Sequence, residues 1–315
     1  MSKYRHHLPQ LTPQTFITDG GLETTLVFHH GYELPEFAAF DLLTNPEGCD
    51  VLRDYYRSYI DLAKTGKAGF ILESATWRAS RDWGRKLGYS PVDLQDVNRK
   101  SIALLQDLRG ESEDGETPMV ISGNLGPRGD GYQVEKKMTV EEARVYHQEQ
   151  VDTLSETEAD LVSAFTINYV EEAIGITLAA QQADIPAVIS FTLETDGRLP
   201  SGQPLGEAVT AVDQATHDGP AYYMINCAHP LHFRDALDSR EPWLNRIRAI
   251  RANASTRSHA ELDQATELDA GDPADLGRRY AELKRHLPHL NIFGGCCGTD
   301  HRHVEAICRA LTSAN

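Results

Sequence analysis

The 315-residue sequence predicts a closed (β/α)8 barrel, the TIM-barrel fold, within the α/β class. Eight short apolar runs alternate with helical runs at intervals of roughly 25 to 45 residues, which indicates parallel strands joined by right-handed crossovers. The polar and cysteine residues that suit chemistry come after these strands, where barrel enzymes place their sites. An open doubly wound sheet would also gather its loops at strand ends. The barrel is favoured because it brings the sixth and eighth strands together.

The first strand and helix are marked by turn residues at their ends. Residues 16–18 form an apolar run that enters the turn Asp19-Gly20-Gly21. Over residues 50–65 apolar side chains recur at near-helical spacing, and Gly66 ends the predicted helix. The second strand, residues 69–72, then leads into Glu73. Asp19 and Glu73 are therefore expected at the carboxyl ends of neighbouring strands.

The remaining elements follow the same alternation. Thr139 and Glu142 form a capping signature that starts a helix, and the seventh strand is only weakly marked. A glycine-rich segment after the third strand, residues 123–131, lacks the patterns of phosphate-binding loops. The further predicted strands are residues 119–122, 159–166, 187–192, 222–225, 247–253 and 291–293, and the further predicted helices are residues 97–108, 139–157, 205–215, 275–287 and 304–311.

Three cysteines are placed to hold a metal ion. Cys296 and Cys297 follow the eighth strand between glycines, which permit a sharp turn, and Cys227 follows the sixth strand. Adjacent cysteines rarely bridge to each other, because the small ring is strained. Three thiolates that leave a fourth coordination position open are typical of catalytic zinc. The alternative is that these cysteines are small buried apolar residues, which is also the interpretation of Cys49 and Cys308.

Four motifs together resemble the zinc-dependent homocysteine S-methyltransferase family, whose members include the betaine and S-methylmethionine enzymes. They are Gly294-Gly295-Cys296-Cys297-Gly298-Thr299, Asn226-Cys227, Asp19-Gly20-Gly21 and Gly123-Asn124-Leu125-Gly126-Pro127. The resemblance runs from about residue 15 to 311, so we expect one domain, 1–315, with that core. It implies Zn²⁺ as cofactor and methyl transfer from a sulfonium or quaternary ammonium donor to a small thiol, homocysteine giving methionine.

The resemblance also implies site residues, which join those expected from the residue pattern. Asp19 lines the thiol site in the family, and Ser74, Thr76 and Trp77 match a Thr-Xaa-Thr-aromatic segment. Asn226 is expected to hydrogen-bond the zinc thiolates or the substrate. The predicted site residues are Asp19, Glu73 and Trp77 for catalysis, Asp19, Gly20, Gly21, Thr76, Trp77, Asn124, Asn226 and Asn253 for substrate binding, and Cys227, Cys296 and Cys297 for the metal.

One position departs from the family pattern. Family members usually carry a glutamate near the end of the fourth strand, similar to the residue that holds the substrate amino group, and Phe165 stands there in this chain. A phenyl ring cannot accept a hydrogen bond from an ammonium group, and such a charge-assisted contact is worth ~1.5–3 kcal/mol. Glu73 is our hypothesis for the replacement carboxylate. A different thiol or a selenol is the alternative acceptor.

The donor and the fourth zinc position are less constrained by the sequence. An indole face attracts a cationic methyl donor, so Trp77 is a candidate to hold it. Arg78 is expected in a surface ion pair, with a donor or acceptor carboxylate as the alternative partner. His229 and Thr166 are candidates for the resting fourth ligand. A non-catalytic barrel with structural zinc is a further alternative.

Composition excludes several classes of partner. The chain carries 47 acidic and 30 basic residues and a net charge of −17, which disfavours nucleic acid and anionic membranes. No apolar run reaches the ~20 residues that span a bilayer, and the first residues lack the apolar core of a secretory signal. Five cysteines suit metal binding or free thiols better than a disulfide framework. We therefore expect a cytoplasmic protein with small-molecule substrates, and the sequence is compatible with an oligomer.

Overall fold

The computed structural model describes residues 2–134 and 136–313 and contains the predicted closed barrel. Residues 1, 135, 314 and 315 of the predicted domain lie outside the described residues. All eight strands are parallel, each pairs with the next along the chain, and the eighth pairs with the first. They are β1 (Phe16–Ile17), β2 (Gly69–Glu73), β3 (Met119–Leu125), β4 (Leu161–Ile167), β5 (Ala187–Thr192), β6 (Tyr222–Asn226), β7 (Ile247–Ala252) and β8 (Ile292–Gly295).

Helices connect the strands around the outside. The longer ones are Pro46–Thr65, Arg81–Lys86, Pro91–Ser112, Val140–Ser155, Val170–Gln182, Leu205–Thr216, Pro273–His286 and His301–Ser313. Thr139 and Glu142 form the predicted capping box, in which each side chain accepts a backbone N–H of the other residue. Within the described residues, no helix has both the length and the apolar character needed to cross a membrane.

The sequence did not predict the helix Val170–Gln182, and the way this helix packs explains the omission. Nine of its thirteen residues are buried, so it lacks a polar face to give a helical period. At Gly175 a Cβ atom would collide with Ala143 of the helix Val140–Ser155, so the two helices are in close contact. A helix buried on most sides does not show the amphipathic pattern that identifies surface helices.

Alternate strand residues belong to two separate cores. Ile71, Val120, Val188 and Met224 belong to a cluster inside the barrel, and the residues between them along the strands pack in a larger cluster with the helices. The interior is therefore filled with side chains, as in other barrels of eight strands. The packed interior leaves the carboxyl ends of the strands as the face where barrel enzymes form a substrate pocket.

Candidate metal centre and substrate pocket

The three predicted metal ligands lie together at the carboxyl end of the barrel. The Sγ atoms of Cys227, Cys296 and Cys297 are all within 4.8 Å of one another, and Cys227 Sγ is 3.8 Å from Cys297 Sγ. Tetrahedral zinc with Zn–S bonds of about 2.3 Å separates its sulfur ligands by about 3.8 Å. Among the described residues this is the one group of three or more Cys, His, Asp or Glu that could hold a metal. The donor set fits zinc, and so does the separation of Cys227 Sγ from Cys297 Sγ.

Two of these cysteines are joined in the structure, because Cys227 and Cys296 form a disulfide. The expectation that the cysteines suit metal binding or free thiols better than disulfides is therefore not met at this pair. Sulfur atoms held side by side can either bind one metal ion or be oxidised together, and zinc requires them as thiolates. Cys297 stays free, and burial raises the pKa of its thiol to about 11. A cation beside it would be needed to keep it ionised at neutral pH.

The backbone of Cys227 is strained in a way that fixes its sulfur. Its φ of +53° lies in the left-handed region, which costs a non-glycine residue about 1–3 kcal/mol. Asn253 compensates, since its Nδ2 donates to the Cys227 carbonyl at 3.2 Å and its backbone N–H donates to Ala228. Asn253 does not line the pocket itself. We infer that it positions the turn that carries Cys227.

Most glycines around Cys296 and Cys297 are required because a Cβ atom would not fit, and not because the backbone needs a left-handed conformation. A Cβ atom on Gly294 would collide with the Thr18 hydroxyl, and one on Gly295 with the Thr299 side chain. Only Gly298, at φ +79°, adopts a left-handed conformation here. The turn after β8 is therefore pressed against the turn after β1, which brings the cysteines to the predicted substrate residues.

Asn226 connects the metal centre to β4 and β5. Its Oδ1 accepts hydrogen bonds from the Thr166 backbone N–H at 2.9 Å and from the Ser190 hydroxyl at 2.6 Å. Its Nδ2 donates to Thr166 Oγ1 at 2.9 Å and to Cys296 Sγ at 3.8 Å. The Asn226 amide therefore contacts one of the three cysteine sulfurs. An amide locked in this way can orient a thiolate without binding the metal.

A pocket opens beside the three sulfur atoms and contains most of the predicted site residues. Thr76 and Asn253 lie behind its wall, and His229 is also outside it, with Nδ1 accepting the Leu231 backbone N–H. Of the two candidates for a resting fourth ligand, only Thr166 reaches the pocket. The pocket is lined by Asp19, Gly20, Gly21, Leu22, Glu23, Thr24, Glu73, Ser74, Trp77, Asn124, Tyr132, Phe165, Thr166, Asn226, Cys227, Arg251, Cys296 and Cys297.

Asp19 and Arg251 form a buried ion pair in the pocket wall. Arg251 Nη2 lies 2.8 Å from Asp19 Oδ1, and Tyr55 donates its hydroxyl to Asp19 Oδ2 at 2.9 Å. Burial raises the pKa of Asp19, and the Arg251 charge opposes that shift. Burial by itself would lower the pKa of Arg251, but the charges of Asp19 and Glu73 raise it above its usual value. Arg251 therefore stays charged in the pocket wall, where its charge is paired with Asp19.

Glu73 is a buried acid without a hydrogen-bond partner. It is 3% exposed, and among the described residues neither carboxylate oxygen has a hydrogen bond. Burial raises the pKa of Glu73 to about 7, although the Arg251 charge acts in the opposite direction. Glu23, in the same wall, also has its pKa raised to about 7 by burial. The Ser122 and Ser163 hydroxyls lie near enough to act against the rise of the Glu73 pKa. Buried polar atoms are normally satisfied, so carboxylate oxygens without an aligned hydrogen bond leave Glu73 able to accept one from a bound substrate.

The segment after β2 holds Asn124 in place. The hydroxyls of Ser74 and Thr76 are 2.6 Å apart, Ser74 Oγ accepts the Asn124 backbone N–H at 2.8 Å, and Thr76 Oγ1 donates to the Asn124 carbonyl at 2.7 Å. Asn124 Oδ1 is buried and has no partner among the described residues. Thr76 thus acts through Asn124, and its hydroxyl is not available to a substrate.

The two aromatic residues of interest meet at the pocket wall. Trp77 Nε1 donates to the Phe165 carbonyl at 3.4 Å, and Phe165 lines the pocket at the position where the family resemblance places a glutamate. The Arg78 guanidinium covers one face of Trp77 at 3.9 Å from the ring centre. Arg78 is 7% exposed, so the expectation of a surface ion pair is wrong. A cationic donor would find one indole face already occupied.

Two rim residues that the sequence did not single out lie over the metal centre. The Tyr132 hydroxyl is 3.7 Å from Cys297 Sγ, and its ring stacks on His259 with centres 4.3 Å apart. They belong to the loops after β3 and β7, and nothing local in the sequence predicts that these loops meet. Arg251 was also missed, although a charged residue inside an apolar strand run is a signal for a buried partner.

The chain is similar in sequence to known proteins along most of its length. The profile of the homocysteine S-methyltransferase family matches residues 16–311. Homocysteine S-methyltransferase 4 of Zea mays is 24% identical over 95% of this chain and 90% of its own length. Selenocysteine Se-methyltransferase of Brassica oleracea var. italica is 25% identical over 94% of this chain and 89% of its own.

Solved structures of one relative have the same fold. The oxidised form of the homocysteine methyltransferase MmuM from Escherichia coli superposes with a TM-score of 0.77 at 18% identity, covering 97% of this chain and 99% of that one. Its metallated form superposes with a TM-score of 0.71 at 20% identity, covering 96% and 97%. At these identities the likeness concerns the barrel alone.

Proposed function

Because the chain belongs to the homocysteine S-methyltransferase family, we propose that it is a zinc-dependent enzyme that methylates a small thiol, with homocysteine as the first acceptor to test. Family membership makes the protein a methyltransferase with a homocysteine-like acceptor. The finer proposal adds Zn²⁺ and a sulfonium or quaternary ammonium methyl donor. The observation that carries it is the cluster of three cysteine sulfurs in the wall of a pocket that also contains buried carboxylates.

The metal proposal rests on the donor set. Cys227, Cys296 and Cys297 would hold the zinc, and Asn226 would orient Cys296. When bound, zinc lowers the pKa of a substrate thiol from its usual value near ~8.5, so that the sulfur is nucleophilic at neutral pH. The disulfide between Cys227 and Cys296 must be reduced before both can serve as ligands. MmuM has been solved in both an oxidised and a metallated form.

The pocket residues favour an acceptor that carries an ammonium group. Both Glu73 oxygens and Asn124 Oδ1 are buried acceptors without an aligned hydrogen bond among the described residues, and both residues line the pocket. An ammonium group has three N–H donors and no acceptor, which complements such a set. Glu73 would thus supply the carboxylate that Phe165 does not.

A selenol acceptor is the second candidate. The Brassica relative is a selenocysteine Se-methyltransferase, and selenocysteine also carries an amino group. Phe165, where the family pattern has a glutamate, lines the pocket next to Arg251, whose guanidinium carbon lies 5.0 Å from the centre of the phenyl ring. Acceptor choice is therefore the property most open to change within this site.

The direct test is methyl transfer by the reduced, zinc-loaded protein. We expect about one zinc per chain after reduction and dialysis, and methylation of homocysteine when S-methylmethionine or glycine betaine is supplied. The same protein oxidised before zinc is added should bind little zinc, because two ligands are then in a disulfide. Methylation of selenocysteine alone would favour the second candidate. Stoichiometric zinc with no methyl transfer to any thiol or selenol would contradict the proposal.

Glu73→Gln is expected to weaken homocysteine binding roughly 10- to 100-fold. The reason is the loss of a charge-assisted hydrogen bond worth ~1.5–3 kcal/mol, with one decade for each ~1.4 kcal/mol. The measurement is KM for homocysteine at pH 8, where the wild-type carboxyl, with its pKa of about 7, is mostly ionised. Towards pH 6 the wild type should lose this advantage as Glu73 takes up a proton, and the variant should not.

The control for Glu73→Gln is a substrate without the amino group. 4-Mercaptobutyrate has the chain length of homocysteine and no ammonium, so wild type and variant should differ by less than about 2-fold with it. An equal loss with both thiols would contradict the assignment.

The Glu73→Gln variant should also be more stable than the wild type at pH 8. The folded-state pKa of about 7 exceeds the usual 4.5, so the carboxylate destabilises the fold above pH 7 by about 3 kcal/mol and not below pH 4.

A further inference from the structure

Tyr132 reaches the metal centre from the rim of the substrate pocket. Its side chain lines the pocket, and its hydroxyl lies 3.7 Å from Cys297 Sγ. A thiolate can only accept a hydrogen bond, and a phenol keeps its proton at neutral pH, so Tyr132 is the donor whenever Cys297 is a metal ligand. Asn226 Nδ2 has the equivalent contact with Cys296 Sγ at 3.8 Å. Two of the three ligand sulfurs therefore have their own hydrogen-bond donor.

The ring of His259 holds the Tyr132 hydroxyl over this sulfur. The two rings stack at an interplanar angle of 29°, with their centres 4.3 Å apart. His259 is itself fixed, because its Nε2 donates to the Leu193 carbonyl, just after β5, at 3.1 Å. Stacked aromatic rings attract each other beyond the effect of burying their surface. The stack therefore fixes the direction of a side chain that belongs to a rim loop.

The loop that carries Tyr132 is anchored close to that residue. The Asp130 side chain accepts the Tyr132 backbone N–H at 2.7 Å, and the Asp130 carbonyl accepts a hydrogen bond from Asn168 Nδ2 at 2.9 Å. Glu172 Oε1 accepts the backbone N–H of Arg128 at 2.8 Å. Asn168 and Glu172 are both buried and come directly after β4. These contacts do not involve the cysteines, so the loop presents Tyr132 to the metal centre from outside it.

We propose that Tyr132 is a positioning residue of the metal centre, whose hydroxyl donates to the Cys297 thiolate and orients it as a ligand. The inference rests on the proposed function and adds to it a residue outside the cysteine motifs. This role differs from that of a fourth ligand, because the contact in the structure is with the sulfur. Residues that hydrogen-bond metal ligands orient them and tune the metal, and their replacement typically lowers metal affinity roughly 10- to 100-fold.

The test measures metal binding by Tyr132→Phe and needs no methyl transfer. A chelator of known affinity competes with the reduced protein for zinc, and we expect the variant to bind zinc roughly 10-fold or more weakly than the wild type. Co²⁺ bound in place of zinc supplies a spectroscopic readout. Its sulfur-to-metal charge-transfer absorption should move to lower energy in the variant, because a thiolate that has lost a hydrogen bond gives up an electron more easily.

Tyr169→Phe is the matched control. The Tyr169 hydroxyl accepts the Met138 backbone N–H in the same connection after β3 at 3.2 Å, and Tyr169 does not line the pocket, so this variant should keep the wild-type Kd and absorption. His259→Ala should share part of the effect of Tyr132→Phe, because the ring stack is lost, and His259→Phe should restore wild-type behaviour. An absorption band at the same energy in Tyr132→Phe and the wild type would overturn the inference, whatever the Kd of the variant.

The outcomes also separate this inference from the proposed function. A reduced wild type that binds neither Zn²⁺ nor Co²⁺ would contradict both together. A shifted band and weaker binding in Tyr132→Phe, in a protein that methylates no thiol, would support the role of Tyr132 and count against the reaction. Methyl transfer by a wild type whose metal absorption is unchanged by Tyr132→Phe would support the reaction and overturn the role of Tyr132.

Discussion

Replacing Cys227, Cys296 and Cys297 together by alanine is expected to remove stoichiometric zinc and to abolish methyl transfer. The three sulfur atoms lie within 4.8 Å of one another, and the described residues contain no second group that could hold the metal. Without zinc an acceptor thiol keeps its usual pKa near ~8.5 and is a few per cent ionised at pH 7. The measurements are metal content of the reduced protein by mass spectrometry and methyl transfer to homocysteine.

The matched control is Cys49→Ala with Cys308→Ala. Both residues are partly buried and pack against the outer core, away from the pocket, so this variant should keep its zinc and its activity. Circular dichroism of the triple variant tests the structural-zinc alternative. A folded, inactive triple variant supports catalytic zinc, whereas a triple variant that unfolds like the chelated wild type would favour a structural role. Full zinc in the triple variant would contradict the ligand assignment.

The sequence predicts the barrel and the cysteine cluster for the same reason. Parallel strands end at one face, so residues that follow β6 and β8 can meet once the sheet closes. Strand periodicity is local, and the turn motifs around Asp19 and Cys296 are local as well. The structure confirms the fold that these features predict. It also places Cys227 beside Cys297, and the distance between their sulfur atoms cannot be calculated from their separation along the chain.

Residues whose role depends on distant partners were not predictable in this way. Arg251 belongs to a weakly marked strand, and its partner Asp19 is 232 positions earlier in the chain. Arg78 appeared as a surface cation because a local window does not show that Trp83 closes over it. Tyr132 and His259 stack only because two long rim loops meet. In each case tertiary contacts, and not local preference, decide burial.

Arg251→Met is expected to lower the free energy of unfolding by about 3–5 kcal/mol, the cost of breaking a buried ion pair by removing one partner. Methionine fills much of the space but leaves the Asp19 carboxylate uncompensated, with Glu73 close by. The variant also loses donors to the Gly20 carbonyl at 2.9 Å and to the Gly295 carbonyl at 2.9 Å. Urea unfolding at pH 7 measures the change. Arg248→Met is the control. Arg248 is in the same strand, but among the described residues its side chain donates hydrogen bonds only to Gln10 and Asn291, so we expect a loss nearer about 1 kcal/mol.

A double-mutant cycle separates the charge pair from the hydrogen bonds. If Asp19 is the main reason that Arg251 must be charged, Asp19→Asn in the Arg251→Met background should recover part of the lost stability, because the uncompensated carboxylate is gone. The hydrogen bonds to Gly20 and Gly295 are absent from both variants and cancel in that comparison. Additive losses would show that Arg251 stabilises the barrel through those carbonyls alone. Recovery would show that the positive charge of Arg251 offsets the negative charge of the acids in the pocket. Those acids would then lower the stability of the folded protein while serving to bind the substrate.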